Sequence, residues 1–319
     1  MFENFDTLIL LVGANPLHNE VVAEYFLSTN VSLKTIVLIY SEINFTNKSN
    51  TKKYADNLER LFKSRHGDIA IEKVYLSDVS NAERIFFNLR EQLQDTLAPG
   101  SSVHFNYTGG TKTMAVHLYR WLERYAENNV IRISFSYLND KNFWIVGDDG
   151  EVSGDLREKV NLNIEEIIEL YGFERKTDSK NNFKNDIMEK FKEIINGENG
   201  LSMDFDLEIK GKPSEYDFDY EFQLNGFILK GFQLIGIASC LDSRDICKGK
   251  GFEILARTRQ IAGEGTRAIL ITSLKEPQKV KLQLELEVET GGSVLVLGAE
   301  DLKNNKFLIE KLQDYIDNI

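Results

Sequence analysis

The segment Asn106-Tyr107-Thr108-Gly109-Gly110-Thr111-Lys112-Thr113-Met114 concentrates groups that suit a phosphate. Gly109 and Gly110 let backbone N–H groups turn toward a guest, Thr108 and Thr111 offer hydroxyls, and Lys112 brings a full positive charge. A helix starting there would add its dipole and its unpaired first-turn N–H groups. The spacing is not GxxxxGK[ST], which argues against ATP hydrolysis. A second segment, Gly13-Ala14-Asn15-Pro16-Leu17-His18-Asn19, offers a glycine for close backbone approach, a proline for a fixed turn and asparagines at a cap. It is not GxGxxG and no acidic residue follows about 20 positions on, so a dinucleotide cofactor is disfavoured. Taken alone, each segment also reads as a turn that merely caps its helix. A third set is basic: Lys248-Gly249-Lys250-Gly251-Phe252-Glu253, then Arg257 and Arg259. A helix beginning near Phe252 pairs Glu253 with Arg257 four residues on and leaves Lys248 and Lys250 ahead of it to meet a phosphate. The plain alternative is an exposed helix start with ordinary charge pairs.

The first half of the chain supplies elements that position the first two segments. Thr7–Gly13 is a short, almost wholly apolar run, which predicts a strand buried on both faces. Helices near 19–28, 51–64, 81–97 and 111–126 alternate with strands near 35–40, 71–76, 102–106 and 131–137. This alternation predicts a doubly wound, mostly parallel sheet. A last strand near 142–147 follows the short turn Asn139-Asp140-Lys141 and predicts an antiparallel edge hairpin. Both phosphate-friendly segments then lie at the carboxyl ends of strands, where such sheets bind ligands. The boundaries expected are a sensing domain over 1–150, a connector over 151–182 ending in the polar run Glu174–Asn182, and a second α/β domain over 183–319. That second domain reads as a helix over 183–196, strands near 204–209, 216–229 and 232–240, a helix over 252–262, and then strand, helix, strand and terminal helix.

Composition bounds what the whole can be. The 319 residues carry 38 Lys and Arg against 50 Asp and Glu, a net charge of −12, with 42% hydrophobic residues. These are the proportions of a globular protein, and the length suits two domains. An acidic chain cannot coat nucleic acid with a broad basic face, so any such contact must be a local basic cleft. No apolar run approaches the ~20 residues of a membrane span. The N-terminal residues lack a basic signal-peptide start, which places the chain in the cytoplasm with no membrane partner. Cys240 and Cys247 make no disulfide framework and are too few for a structural zinc site.

A buried first strand ending in Gly-x-Asn-Pro, followed some ninety residues later by Asn-x-Thr-Gly-Gly-Thr-Lys-x-Met, resembles the CARF domain, the CRISPR-associated Rossmann fold. In particular it resembles the branch fused to a restriction-endonuclease-like domain. The resemblance implies a homodimer that binds a cyclic oligoadenylate, most simply cyclic tetraadenylate, across its two-fold axis as allosteric activator. It implies that Gly13, Asn15, Pro16, Leu17 and His18 line the pocket from one side, and Thr108, Gly109, Gly110, Thr111, Lys112 and Met114 from the other. Tyr40 and Ser41, at the end of the second strand, become base or ribose contacts.

The second half has the layout of a PD-(D/E)xK nuclease core, whose carboxylates hold Mg²⁺ or Mn²⁺ while a lysine helps activate water. The expected triad is not intact. The strand Gly231–Cys240 holds neither Glu nor Lys. The resemblance offers Glu253 as a migrated carboxylate and Lys250, with Lys248, as the lysine. It aligns Asn225 with the family's Asp, and a neutral amide is a much weaker ligand for a hard cation. Glu221, on the same strand face as Asn225, or Asp219 would then have to substitute. The leading expectation is a type III CRISPR ancillary effector whose bound ligand switches on metal-dependent cleavage of single-stranded RNA or DNA, or nicking of DNA. The alternatives are a ligand-sensing binding module with a weakened nuclease domain, or a ring nuclease that degrades the cyclic ligand, for which His18 is the one evident base.

Overall fold

In a computed structural model of the protein the described residues are 2–42, 50–93, 96–176, 192, 195, 201–211, 220–263, 265–298 and 300–317. They form two compact units, Met1–Val160 and Asn161–Ile319. In the first, β1 (Thr7–Leu11), α1 (Pro16–Thr29), β2 (Thr35–Ser41), α2 (Lys52–Arg65), β3 (Ala70–Leu76) and α3 (Ala82–Leu93) come in order. They are followed by β4 (Ser102–Asn106), α4 (Lys112–Asn129), β5 (Arg132–Asn139) and β6 (Trp144–Gly147). The sheet order is β3-β2-β1-β4-β5-β6. Every pairing is parallel except β5 with β6, the antiparallel edge that the short turn predicts.

β1 is buried along its whole length, as its unbroken apolar run demands. Ile9 and Leu11 join Val37, Ile39, Val74 and Leu76 on the face that packs against Ile85, Leu89, Met114 and Leu118 of α3 and α4. The chain leaves β1 for the edge carrying β2 and β3, and β4 lies on its other side. The boundary between β1 and β4 is therefore the switch point of the sheet, where connections part and a crevice opens at the carboxyl ends of the strands.

The second unit holds α5 (Ile164–Leu170), β7 (Phe173–Arg175), β8 (Leu201–Gly211), β9 (Tyr220–Lys230), β10 (Gln233–Cys240) and α6 (Arg244–Ala262). After them come β11 (Arg267–Thr272), α7 (Glu276–Thr290), β12 (Val294–Gly298) and α8 (Asn305–Asp317). Its sheet runs β12-β11-β10-β9-β8-β7. β7 to β10 form an antiparallel meander, and β10 to β12 are parallel.

Two sequence expectations meet a different structure, and a third falls outside the described residues. The stretch 151–182 is divided between the units: residues up to 160 stay with the first, and α5 and β7 build the second. β7 adds an edge strand to β8 within the polar run. The helix expected at 183–196 lies outside the described residues apart from 192 and 195. Finally, α6 begins at Arg244, not near Phe252, and runs through Gly249 and Gly251. Glycine costs a helix about 1 kcal/mol, but Gly251 is where α6 meets its neighbours. A Cβ there would stand 3.0 Å from Leu286 Cδ1, so the missing side chain permits the close approach of α7.

A histidine sits inside the first unit among other buried polar groups. His104 on β4 is 1% exposed and stacks on Phe5 with ring centroids 4.8 Å apart. Its two ring nitrogens lie 2.7 Å from Ser134 Oγ and 2.7 Å from Ser136 Oγ. Burial pushes its pKa from 6.5 down to about 3. Because the folded form resists a proton that the unfolded chain accepts, this contribution is complete above pH 6.5 and is lost as pH falls from there toward 3. The unfolding free energy should drop by up to about 1.4 kcal/mol per pH unit over that window from this group. Urea titrations at pH 7 and pH 5 should show the drop, and His104→Gln should remove one proton from the slope.

Candidate ligand-binding site

At the switch point the two phosphate-friendly segments come together, backbone against backbone. A Cβ on Gly13 would stand 2.7 Å from the Gly110 nitrogen, and one on Gly109 would stand 2.9 Å from the Gly13 nitrogen and overlap the Leu11 carbonyl. Gly110 has φ +70°, and a Cβ there would stand 2.6 Å from Leu11 Cγ. These glycines are thus required by contact and, at Gly110, by conformation.

The first loop leads into α1, with Pro16 at its start and no side chain capping it at Asn15. Asn19 reaches back from α1, donating to the Leu11 carbonyl at 3.1 Å. His18 Nε2 lies 3.0 Å from Asn15 Nδ2 and 3.5 Å from an Asp140 oxygen in the β5–β6 turn. Burial lowers the His18 pKa and Asp140 opposes that shift, so the ring is neutral at pH 7 and accepts from the Asn15 amide.

The second loop is built on a buried network. Asn106 donates to Ser136 Oγ at 3.0 Å and accepts from the Thr108 hydroxyl at 2.7 Å. Thr108 Oγ1 in turn accepts from the Leu138 N–H at 2.7 Å. The Thr108 hydroxyl is thereby committed to holding the loop. Thr111 caps α4, accepting from the Met114 N–H at 3.2 Å, and its own proton remains to be donated. Lys112 is exposed at the first position of α4.

The expected site residues therefore divide by role. Gly13, Gly109 and Gly110 meet backbone to backbone, with Asn15 and His18 following at the start of α1 and Thr111 and Lys112 at the start of α4. Met114 is completely buried in the core and Leu17 is 6% exposed, so both support the loops from beneath. Ser41 is buried, its N–H donating to Thr51 Oγ1 at 3.1 Å, while the Tyr40 ring lies 6.0 Å from that of Tyr75. The sequence reading quoted Asn106 without seeing its bracing role and gave no role to Ser136 and Asp140; the three reach the loops from β4, β5 and the hairpin turn. Their roles depend on contacts roughly thirty to one hundred and twenty residues apart, which spacing alone does not reveal. It also missed Asp148, which accepts from Tyr107 Oη at 2.8 Å and from Tyr119 Oη at 2.7 Å. Burial, then that carboxylate, pushes the Tyr119 phenol up to about 12.

The second unit assembles its basic segment differently from expectation. Lys248 and Lys250 lie within α6 and do not precede it. Lys248 is paired with Glu289 at 2.6 Å and Glu285 at 3.5 Å of α7, and Lys250 with Glu253 at 2.9 Å. Glu253 also holds Arg257 at 2.5 Å, the pairing that four-residue spacing predicts. Lys250, Glu253 and Arg257 run along the flank of α6, away from the stripe of Cys247, Gly251, Ile254 and Thr258 that is buried. Asn225 stands in β9 between the pairs Leu207–Leu224 and Phe205–Gly226. Glu221 lies in β9 with its side chain outside the described atoms, and Asp219 is outside the described residues. Among the described residues no three His, Cys, Asp or Glu side chains are placed to hold a metal ion. The Glu221 side chain and Asp219 lie outside that set. No described helix is long and apolar enough to cross a membrane.

Comparison with known proteins sets this geometry beside others. Residues 7–166 match the family model described as the Card1 CARF domain. The whole chain is similar in fold to protein VC1899 from Vibrio cholerae, with TM-score 0.74 and 10% identity over 98% of this chain and 99% of that one. It is also similar to a type III CRISPR defence DNA nuclease activated by cyclic oligoadenylate, with TM-score 0.54 and 12% identity. That match covers 86% of this chain and 46% of the other. No curated protein matches the sequence.

The packing at the switch point has a direct test. Gly109→Ala should cost about 1–3 kcal/mol, the range for forcing an atom into a packed site. Gly67→Ala, where a new Cβ would meet only Lys63 O at 3.9 Å, should cost far less. Urea unfolding of the two variants beside the natural chain measures the difference.

Proposed function

Since the chain belongs to the family of the Card1 CARF domain, we propose that its first unit senses a cyclic oligoadenylate in type III CRISPR defence, with cyclic tetraadenylate as the ligand. The observation that carries this reading is the contact of Gly13 with Gly109 and Gly110, which sets the starts of α1 and α4 beside one crevice. Two helix N-termini offer unpaired N–H groups and partial positive charge to a phosphodiester. Lys112 adds a charge-assisted hydrogen bond, and Thr111 donates its hydroxyl proton. Neutral His18 orients Asn15 without repelling or attracting the ligand's charge. In a homodimer the same groups from each copy face the ring, one set for each half of a symmetric ligand.

For the second unit the reading is a docking module with weakened metal chemistry. Asn225 brings no charge, β10 carries neither Glu nor Lys, and Glu253 is already held by Lys250 and Arg257. A second reading, metal-dependent cleavage of single-stranded RNA or DNA or nicking of DNA, draws on the likeness to a cyclic-oligoadenylate-activated DNA nuclease. It requires Glu221 or Asp219 to supply the missing carboxylate. The two readings part in one experiment: incubation with Mn²⁺, labelled cyclic tetraadenylate and labelled single-stranded RNA or DNA, following both labels. Docking predicts a bound, intact ring and uncut nucleic acid; cleavage of the ring instead would mark a ring nuclease.

Two substitutions sharpen the test. Lys112→Ala should weaken cyclic tetraadenylate binding by ~1–3 kcal/mol, read by calorimetry, and a natural chain that gives no heat with any cyclic oligoadenylate would overturn the sensing role. Asn225→Asp should raise Mn²⁺ affinity or nuclease activity if Asn225 occupies the position of a metal-binding Asp, because it restores a charged oxygen. Full activity in the natural chain, unchanged by Asn225→Asp, would assign the ligand role to Glu221 or Asp219.

A further inference from the structure

Outside both candidate sites, the chain's two cysteines meet. Cys240 ends β10 and Cys247 lies near the start of α6, and their Sγ atoms are 2.7 Å apart. Both are free thiols. Two sulfurs at that separation are inside their van der Waals contact, and the remaining approach to the roughly 2.05 Å of a disulfide is short. Cys247 Sγ also lies 3.4 Å from Cys240 O, 3.5 Å from Asp242 O and 3.6 Å from Thr272 Oγ1. These contacts hold it against the end of the strand. We propose that Cys240 and Cys247 are an oxidation site, a dithiol that peroxide converts to an intrachain disulfide tying β10 to α6.

The chemistry closes without a further partner. Cys247 is the attacking sulfur and Cys240, whose sulfur it touches, resolves the product. Burial and the neighbouring Cys247 push the Cys240 thiol up to about 11, which keeps that partner protonated until the second step. The Cys247 thiolate attacks one peroxide oxygen, the O–O bond breaks, and the departing hydroxide takes a proton to leave as water. The resulting sulfenic acid is attacked by Cys240 sulfur; the S–O bond breaks, and hydroxide leaves with the Cys240 proton as a second water. Two thiols are oxidised by two electrons and one peroxide is reduced to two waters. Cys240 is 8% exposed and Cys247 is fully buried, but both lie under Leu241, Asp242 and Ser243, which are exposed. Local opening of that short connection admits a molecule as small as peroxide.

The bond would close a loop running only from Cys240 to Cys247 and fix the first turns of α6, the helix that carries Lys248, Lys250 and Glu253. The test uses the full chain, reduced, freed of reductant and treated with hydrogen peroxide. Thiol counting under denaturing conditions should fall from two to none, with a monomer on a non-reducing gel and a mass loss of two hydrogens. Trypsin cuts after Arg244, between the cysteines, so the peptides Gly231–Arg244 and Asp245–Lys248 should stay joined until a reductant is added. The oxidised chain should melt roughly 5 °C higher. Two thiols surviving excess peroxide, oxygen added to sulfur in place of hydrogen lost, or dimers linked between chains would each overturn the proposal. These readouts on the natural chain need no variant. Cys247→Ser, where it folds, should give no joined peptides.

Discussion

The candidate site depends on the absence of side chains at three positions. With Gly13 against Gly109 and Gly110, the backbones of two loops from neighbouring parallel strands come closer than any other residue permits. That approach decides where α1 and α4 begin, and hence where their N–H groups and Lys112 stand. It also explains the buried polar network beneath. Asn106, Thr108 and Ser136 satisfy one another and the Leu138 N–H, so the second loop is held without help from a guest. A preorganised anion cradle avoids spending ligand affinity on ordering the loops.

The second unit answers a different constraint. Its α6 packs tightly enough on α7 to use a glycine at the crossing, and the two helices are further joined by Arg244 and Lys248 reaching Glu285 and Glu289. In a protein of net charge −12, these cations are spoken for by carboxylates of the same unit. A nucleic acid approaching α6 would have to compete with those carboxylates for each lysine. This is why a basic cluster in the sequence does not by itself make a basic surface.

What could be read from the residues follows the range over which each signal acts. The apolar run of β1, the strand-helix alternation and the short turn before β6 are local patterns, and each led to the right element and the right sheet. The loops Gly13–Asn19 and Asn106–Met114 were legible because strand ends in a doubly wound sheet have a known place. The start of α6 was not, since Gly249 and Gly251 look like a loop until the contact of Gly251 with Leu286 is seen. Thr108 reads as a ligand contact from its type, and its bracing of the loop shows only through its partners at Asn106 and Leu138. The burial of Met114 was legible in its helical spacing with Leu118 and Trp121, all three of which are buried.

The placement of β1 at the centre of its sheet bears on how the chain comes into being. β1 is made well before β4, yet it pairs on one side with β2 and on the other with β4, and the Asp6 side chain is bonded to the Ser102 backbone 96 residues later. While synthesis proceeds, Thr7–Leu11 is a fully apolar strand with one edge open until residue 106 has been added and has left the ribosome. Such an edge invites pairing with another nascent chain. The fold therefore carries a window of vulnerability during its own birth, one that closes only when β4 arrives, and chaperone demand for this protein should be greatest over that interval of translation.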